Sequence, residues 1–353
     1  MMDDGAARDG VRVLAGAVRR ARPLDDPLLL AESLVRFGSA VVHAVACSDP
    51  AAVSALQEAD RLATRERHPA LAATARTELA FVATAAGDLR GALRWADRAG
   101  AAAGDRVAER AAVHYVRGFA LVGAGRSSAA VAELDRAVGL AQDGDRPRLL
   151  ALAVSNRARA RLQRGEPDRA AADVAQAAAV VAELDWTALR PWVDVLHAEA
   201  LLDAGRLAQA EQVLAGARTL AEVLDDGCWR ALTDRVTAEL EAVRGRPTTA
   251  ALAESCTAFA SGPDACRWIE LSMRDALCSI RVRTAGGAVD RAAALREATA
   301  LGERATRFGL EEFVVRAAVH RARLGQADAR AEAVARAARQ DNPELTALTG
   351  ALR

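Results

Sequence analysis

Three stretches decide the fold: GFALVGAGRSSAAVAELDRA at residues 118–137, ARARLQRGEPDRAAADVAQA at 158–177 and AEALLDAGRLAQAEQVLAGA at 198–217. They start 40 residues apart and align without a gap. Each opens on a small residue (Gly118, Ala158, Ala198) and reaches a glycine seven places on (Gly125, Gly165, Gly205). Alanines stand five and twelve places beyond that glycine: Ala130 and Ala137, Ala170 and Ala177, Ala210 and Ala217. A glycine between two helical stretches reads as a helix C-terminus, because glycine enters the left-handed region without steric cost. Small residues at fixed helical positions let two backbones cross closely. The unit is a helical hairpin, and a repeated hairpin stacks.

The pattern extends outward in both directions. Turn glycines recur at Gly87, Gly245, Gly286-Gly287 and Gly325, and Cys47 occupies the slot 40 residues before Gly87. The first alanine position is filled by Ala52, Ala92, Ala250 and Ala292, the second by Ala59 and Ala99. Ala40, Ala80, Ala238 and Ala318 take the small-residue position, whereas Arg330 stands in the alanine slot of the last repeat. The spacing predicts hairpins over 26–66, 69–103, 106–143, 147–183, 187–224, 228–260, 263–307 and 310–340. Residues 1–25 read as a lone helix, a remnant half-repeat, 26–340 as the array and 341–353 as a tail. The expected fold is all-α, a right-handed solenoid of about eight antiparallel hairpins with a period of about 40 residues. It should be elongated, each hairpin touching only its neighbours.

Composition agrees. The 353 residues include 89 Ala, and all 47 basic residues are Arg against 47 acids. The scarcity of Lys, Ile, Asn and Tyr reads as a GC-rich bacterial genome. Helix formers abound, while β-branched and aromatic residues other than Val are few, which excludes an all-β chain. Lacking Lys, the chain has no Walker A loop, Schiff base or lysine acid/base. Zero net charge argues against nucleic acid as the main partner. The start, Met1-Met2-Asp3-Asp4-Gly5, has no secretory pattern, and no run is long and apolar enough to span a bilayer. Five cysteines without C-x-x-C spacing read as reduced thiols, and the expected location is cytoplasmic.

A small residue in the first helix, a turn glycine and two alanines in the second form a tetratricopeptide-like pattern over nearly the whole chain. The period, 40 rather than the usual 34, requires longer helices. Asp185-Trp186-Thr187-Ala188 with Pro191-Trp192, Asp225-Asp226-Gly227-Cys228-Trp229, and Phe313-Val314-Val315-Arg316 through His320-Arg321-Ala322-Arg323-Leu324-Gly325 with Asp341-Asn342-Pro343 add to it. Together these stretches resemble the C-terminal tetratricopeptide region of large ATP-binding bacterial transcriptional regulators of the LuxR and SARP types. The resemblance implies a sensor or adaptor array without its ATPase and DNA-reading modules.

No catalytic constellation emerges. The histidines His43, His68, His114, His197 and His320 fall in different hairpins without metal-ligand spacing, and Cys256, Cys266 and Cys278 read as buried apolar residues. Asp49, Asp88 and Glu166-Pro167-Asp168 read as helix caps. Arginines beside acids, as in Glu109-Arg110, read as solvated ion pairs. The informative surface is the inner wall, which the first helix of each hairpin lines. Six residues before each turn stand Val41, Phe81, Phe119, Arg159, Glu199 and Glu239; ten before, Phe37, Thr77, Tyr115, Ser155, Val195 and Arg235; thirteen before, Leu34, Thr74, Ala112, Leu152, Trp192 and Leu232. The wall would run from aromatic to charged. Phe37, Phe81, Tyr115, Phe119, Asn156, Arg159, Trp192, Glu199, Arg235 and Glu239 are the candidate partner-binding groove, unless long helices bury part of it in the core.

The expected function is binding without catalysis, metal or cofactor. The chain reads as a protein-binding adaptor or sensor in a bacterial regulatory, transcriptional pathway. Its partner would be a protein or peptide, an ATPase or transcriptional regulator among the candidates, with no direct contact to nucleic acid or membrane. Alternatives are a peptide or small-ligand receptor that controls a partner, and an enzyme with a pocket inside the solenoid.

Overall fold

The computed structural model describes residues 4–44, 49–262 and 266–352, and every regular element among them is helical. A single helix, α1 (Asp4–Ala21), leads into eight antiparallel hairpins. The first four pair α2 (Pro27–Ala44) with α3 (Pro50–Arg65), α4 (Pro69–Ala85) with α5 (Leu89–Ala103), α6 (Val107–Gly123) with α7 (Ser127–Asp143), and α8 (Pro147–Leu162) with α9 (Pro167–Glu183). The last four pair α10 (Arg190–Asp203) with α11 (Leu207–Val223), α12 (Gly227–Val243) with α13 (Thr249–Ser261), α14 (Arg267–Thr284) with α15 (Ala288–Phe308), and α16 (Glu311–Arg323) with α17 (Ala327–Ala337). Residues 341–353, read as a tail, include a short helix, α18 (Pro343–Gly350), that packs on α16 and α17.

Helix starts and stops follow local chemistry. Prolines open α3, α4, α8 and α9, where the missing N–H costs nothing. The side chains of Asp49, Asp88 and Asp226 accept hydrogen bonds from first-turn N–H groups. Gly125, at φ 70°, ends α6: its N–H donates to Val122 O at 3.1 Å, and that of Arg126 to Leu121 O at 3.0 Å. Between hairpins 3 and 4, 4 and 5, and 5 and 6 the left-handed residue is an aspartate: Asp145, Asp185 and Asp225 have φ of 50°, 48° and 49°. Aspartate is among the few non-glycine residues that tolerate this region. The Asp185-Trp186 and Asp225-Asp226 motifs therefore mark turns.

Packing follows the small residues. Ala92, Ala130, Ala170 and Ala210 are fully buried, as are Ala99, Ala137, Ala177 and Ala217. A Cβ added to Gly118 would stand 2.6 Å from Leu134 Cγ, so α6 and α7 touch there with no room for a side chain. Four repeats depart from the sequence register. In α2, Gly38 rather than Ala40 meets the second helix, against Leu56 Cγ, because the meeting pair stands two residues further apart in sequence than Gly118 and Leu134 do. Cys47 lies outside the described residues. Five residues join α12 to α13 where three join α4 to α5, so Leu252 and Cys256 are buried while Ala250 is exposed. Gly287 takes extended backbone, φ −139°, instead of the left-handed turn, and Ala294 replaces Ala292 inside. In α17 the buried residue is Ala329, and Arg330 faces solvent.

One expectation is corrected outright: hairpins touch more than their neighbours. The C-terminal hairpins come round onto the turn edge of hairpins 2–4. A Cβ on Gly87 would lie 3.1 Å from Phe308 O, and one on Gly125 3.0 Å from Glu312 Cβ. Gln163 Nε2 donates to Glu312 Oε2 at 3.0 Å and to Val122 O at 3.3 Å. Asp341 caps α7 across 212 residues: its carboxylate accepts from Ala129 N at 2.9 Å, and its carbonyl accepts from Ser127 Oγ at 3.1 Å. α7 has no side-chain cap of its own, so this contact satisfies an N–H that would otherwise lack a partner. The solenoid bends round on itself while keeping an open surface. It exposes 16021 Å², against roughly 13,600 Å² for a compact chain of this mass.

Candidate functional site

The first helices of successive hairpins form the inner wall, and its two ends differ in chemistry. At the N-terminal end α4 and α6 present rings in contact. Phe81 and Phe119 stack with centroids 5.3 Å apart and planes 17° apart, and Tyr115 stacks on Phe119 at 6.3 Å. His43 closes the row on Phe81 at 4.6 Å. Phe81 and Phe119 are half-buried and Tyr115 is buried, so the strip is anchored in the core and open along one side. Beneath it, Glu78 accepts from Ser39 Oγ at 2.9 Å and lies 2.9 Å from His43 Nε2. Burial opposes the His43 charge, yet the Glu78 hydrogen bond and charge raise its pKa overall. Burial likewise opposes the Glu78 charge, and His43 and Ser39 bring its pKa down overall. Burial and the Glu78 charge also push up the Tyr115 phenol, which stays neutral.

From α8 onward the same face is ionic. Arg159, Glu199 and Glu239 line a cavity of about 200 Å³, joined by Arg235. One helical turn beyond the six-before position, the same face contributes Gln163 and Asp203. The far wall is the returning C-terminal part: Trp268, Asp275, Glu312, Arg316 and Glu344. Arg235 pairs with Glu199 and, at 3.3 Å, with Glu239. Arg316 holds Glu344 at 2.7 Å, Glu312 at 3.0 Å and Asp275 at 3.7 Å. His320 Nε2 lies 2.8 Å from the second oxygen of Asp275. Burial raises the pKa of Glu239 and Glu312 despite these partners. The opposite holds at Asp275, where His320 and Arg316 overcome burial and lower it. Asp203, at the exposed rim, is pushed up to about 6 by partial desolvation and by the charges of Glu344 and Glu239.

The structure thus brings Phe81, Tyr115 and Phe119 together at one end, and Arg159, Glu199, Arg235 and Glu239 at the other. It places the remaining three candidates elsewhere. Phe37 packs among the cores on either side of α2, because the wider spacing of Gly38 and Leu56 shifts that helix by two positions. Val35 takes the place equivalent to Tyr115, and Ser39 that of Phe119. Trp192 is 7 % exposed and stacks on Trp229 at 5.7 Å inside the core. Asn156 is buried and donates to Leu152 O within its own helix at 3.0 Å. Sequence reasoning missed Glu78, His43 and the whole far wall of the cavity. The residues four beyond the wall positions would have found Gln163 and Asp203; no local signal marks Trp268 or Glu312 as their neighbours.

Burial raises the thiol pKa of Cys256 to about 11, and that of Cys266 and Cys278 as well, so none is a ready nucleophile. Among the described residues no three His, Cys, Asp or Glu are arranged to hold a metal ion, and no helix is long and apolar enough to cross a membrane.

No family model and no curated protein matches this sequence. Solved structures do. A Rap protein complexed with competence and sporulation factor superposes with a TM-score of 0.56 at 14 % identity, over 90 % of this chain and 80 % of that one. The apo form of RapI gives 0.50 at 10 % identity, over 84 % and 99 %. The fold is a tetratricopeptide-like helical solenoid. At such identities the likeness concerns the fold alone, and the resemblance to LuxR- and SARP-type sensor arrays gains no support from it.

Proposed function

We propose that this chain is a protein-binding adaptor of a bacterial regulatory pathway and that a peptide segment of its partner lies on the aromatic strip. The observation that carries the reading is the stack of Phe81 and Phe119, half-exposed on successive hairpins of a concave wall. Large rings held rigidly beside one another lose little entropy on binding and bury much apolar area, the character of interface hot spots. Glu78 and His43 at the strip's edge supply polar orientation. A Rap protein, of like fold, was solved with competence and sporulation factor; that pairing agrees with a solenoid that holds a partner. The partner class we infer is a cytoplasmic regulator, an ATPase or a transcription factor, which the adaptor occupies without catalysis of its own.

The test is capture of partners by the wild type and by a Phe81→Ala/Phe119→Ala variant in parallel, with Val223→Ser on an exposed outer position as control. The expected result is a specific protein lost from the double variant, kept by the control, with helicity retained by both. Retention of every captured protein by a folded double variant would refute the strip as the binding surface.

A further inference from the structure

The second end of the wall carries its own unmet chemistry. Arg159 is 5 % exposed, and its Nε and Nη2 have no hydrogen-bond partner. Its guanidinium carbon stands over the Trp268 ring, 3.5 Å from the centroid, and no carboxylate pairs with it among the described residues. Burial lowers its pKa to about 10, only partly countered by Glu312. Nε and Nη2 form the edge of the guanidinium that grips a carboxylate with two parallel hydrogen bonds. Arg159 lines the cavity, and both nitrogens of that edge are closed to solvent, so a carboxylate reaches them only once a neighbouring side chain shifts.

The other side of the cavity has the opposite deficit. Arg235 and Arg316 each serve more than one acid, as described above. With Asp203 included, the lining holds six carboxylates against three guanidiniums, Arg159 counted. Among the described residues Asp203 has no cationic partner; the charges that act on it are those of Glu344 and Glu239. A dianion such as phosphate would meet this excess of negative charge. A simple amine would leave Arg159 unpaired.

We infer that the cavity is a binding site for a small zwitterion, with its carboxylate on Arg159 and its ammonium among Asp203, Glu239 and Glu344. The space, about 200 Å³, is that of roughly a dozen waters, which limits the ligand to a free amino acid or a comparable ω-amino acid. The site is separate from the aromatic strip. Its walls come from both the middle hairpins and the returning C-terminal ones, so an occupant would also tie that contact together.

The experiment measures binding by calorimetry and thermal shift with glycine, β-alanine, 4-aminobutyrate and 6-aminohexanoate, and with acetate and butylammonium as one-ended controls. One chain length should bind at least about tenfold more tightly than either control, a difference of about 1.4 kcal/mol. Arg159→Met should abolish this preference while leaving the free protein's melting temperature equal or higher, since it removes an unpaired buried charge. Asp203→Asn, at the exposed rim, should weaken the zwitterion and leave acetate unchanged. An equal response to all six probes would mean that the cavity holds water alone, and would overturn the proposal. So would a lower melting temperature of Arg159→Met joined to unchanged zwitterion binding by Asp203→Asn, because Arg159 would then be a structural clamp. Loss of partners from the Phe81→Ala/Phe119→Ala variant bears on neither outcome.

Discussion

The aromatic and ionic ends of the inner wall stand on the same face of equivalent helices, at the same distance before equivalent turns. At one end the residues satisfy each other by ring stacking, between neighbouring hairpins. At the other the acids find arginines within their own hairpin or a nearby one, while Arg159 and Gln163 meet Trp268 and Glu312 from more than a hundred residues away. The repeat fixes where a side chain points and leaves its chemistry free. Closure of the array then decides which chemistry is tolerable. Phe81 and Phe119 tolerate solvent; Glu312 and Asp275 require Arg316.

The largest effect should come from breaking that dependence. Arg316→Met leaves Glu312, Glu344 and Asp275 without their shared cation, in a region where Glu312 is 3 % exposed. Removing one member of a buried ionic cluster costs about 3–5 kcal/mol, and denaturant unfolding should register that loss. A change of a few tenths would mean that the ionic end is solvated like an ordinary surface.

At the aromatic end the equivalent stress is steric. Gly118→Ala places a methyl 2.6 Å from Leu134 Cγ, next to the strip. Overpacking of this kind costs roughly 1–3 kcal/mol. Ala198→Leu at the matching position of α10, fully buried, should fall in the same range. Equal costs at the two sites would confirm that the wall has one register throughout; a silent Ala198→Leu would break it between hairpins 3 and 5.

Asp341→Ala removes the borrowed cap of α7 and should cost about 1 kcal/mol, read as a drop in melting temperature. The same change in a chain truncated before α18 should have no effect on that helix.

The smallest effects distinguish the two ends by pH. The raised His43 pKa means that its pairing with Glu78 stabilises the fold below the unfolded histidine value, about 6.5, and fades as pH rises through the folded value. The advantage of wild type over His43→Gln should therefore shrink above neutrality. Asp203, raised to about 6, holds its proton more tightly in the folded state. Its contribution is present at acidic pH and lost as pH climbs from the unfolded value, about 3.9, through 6. Asp203→Asn should gain on the wild type across that window. Parallel melting curves for either pair would show that the group titrates alike folded and unfolded.

The hairpins, their turns and the buried alanines were legible because helix packing imposes a small residue at each crossing and the left-handed turns inside the hairpins at Gly87, Gly125, Gly165, Gly205, Gly245 and Gly325 take a glycine. Register failed where two residues were gained, between the meeting positions of α2 and α3 and in the connection of α12 to α13, and Phe37 was misplaced for the first reason. It failed again at Gly286-Gly287, where an extended backbone replaces the turn. Phe81, Phe119, Arg159, Glu199 and Glu239 were placed on the wall from spacing alone. Trp268, Glu312 and Glu344 could not be set beside them, because the return of the C-terminal hairpins depends on the accumulated rotation between repeats. No single repeat encodes that sum. The capping of α7 by Asp341 is the same case: two short polar segments whose meeting is decided by everything between them.

The central claim is that the array comes back on itself and turns one end of its wall into a cavity. Spin labels at Arg126→Cys and Arg339→Cys, both exposed, test it in a chain whose native cysteines are replaced. Helices stacked about 8–10 Å apart in a straight array would put hairpins 3 and 8 roughly 50 Å from one another. The account predicts a single short distance, well under half of that span, given that Ser127 and Asp341 are hydrogen-bonded. A broad distribution centred near the straight-array value would contradict it.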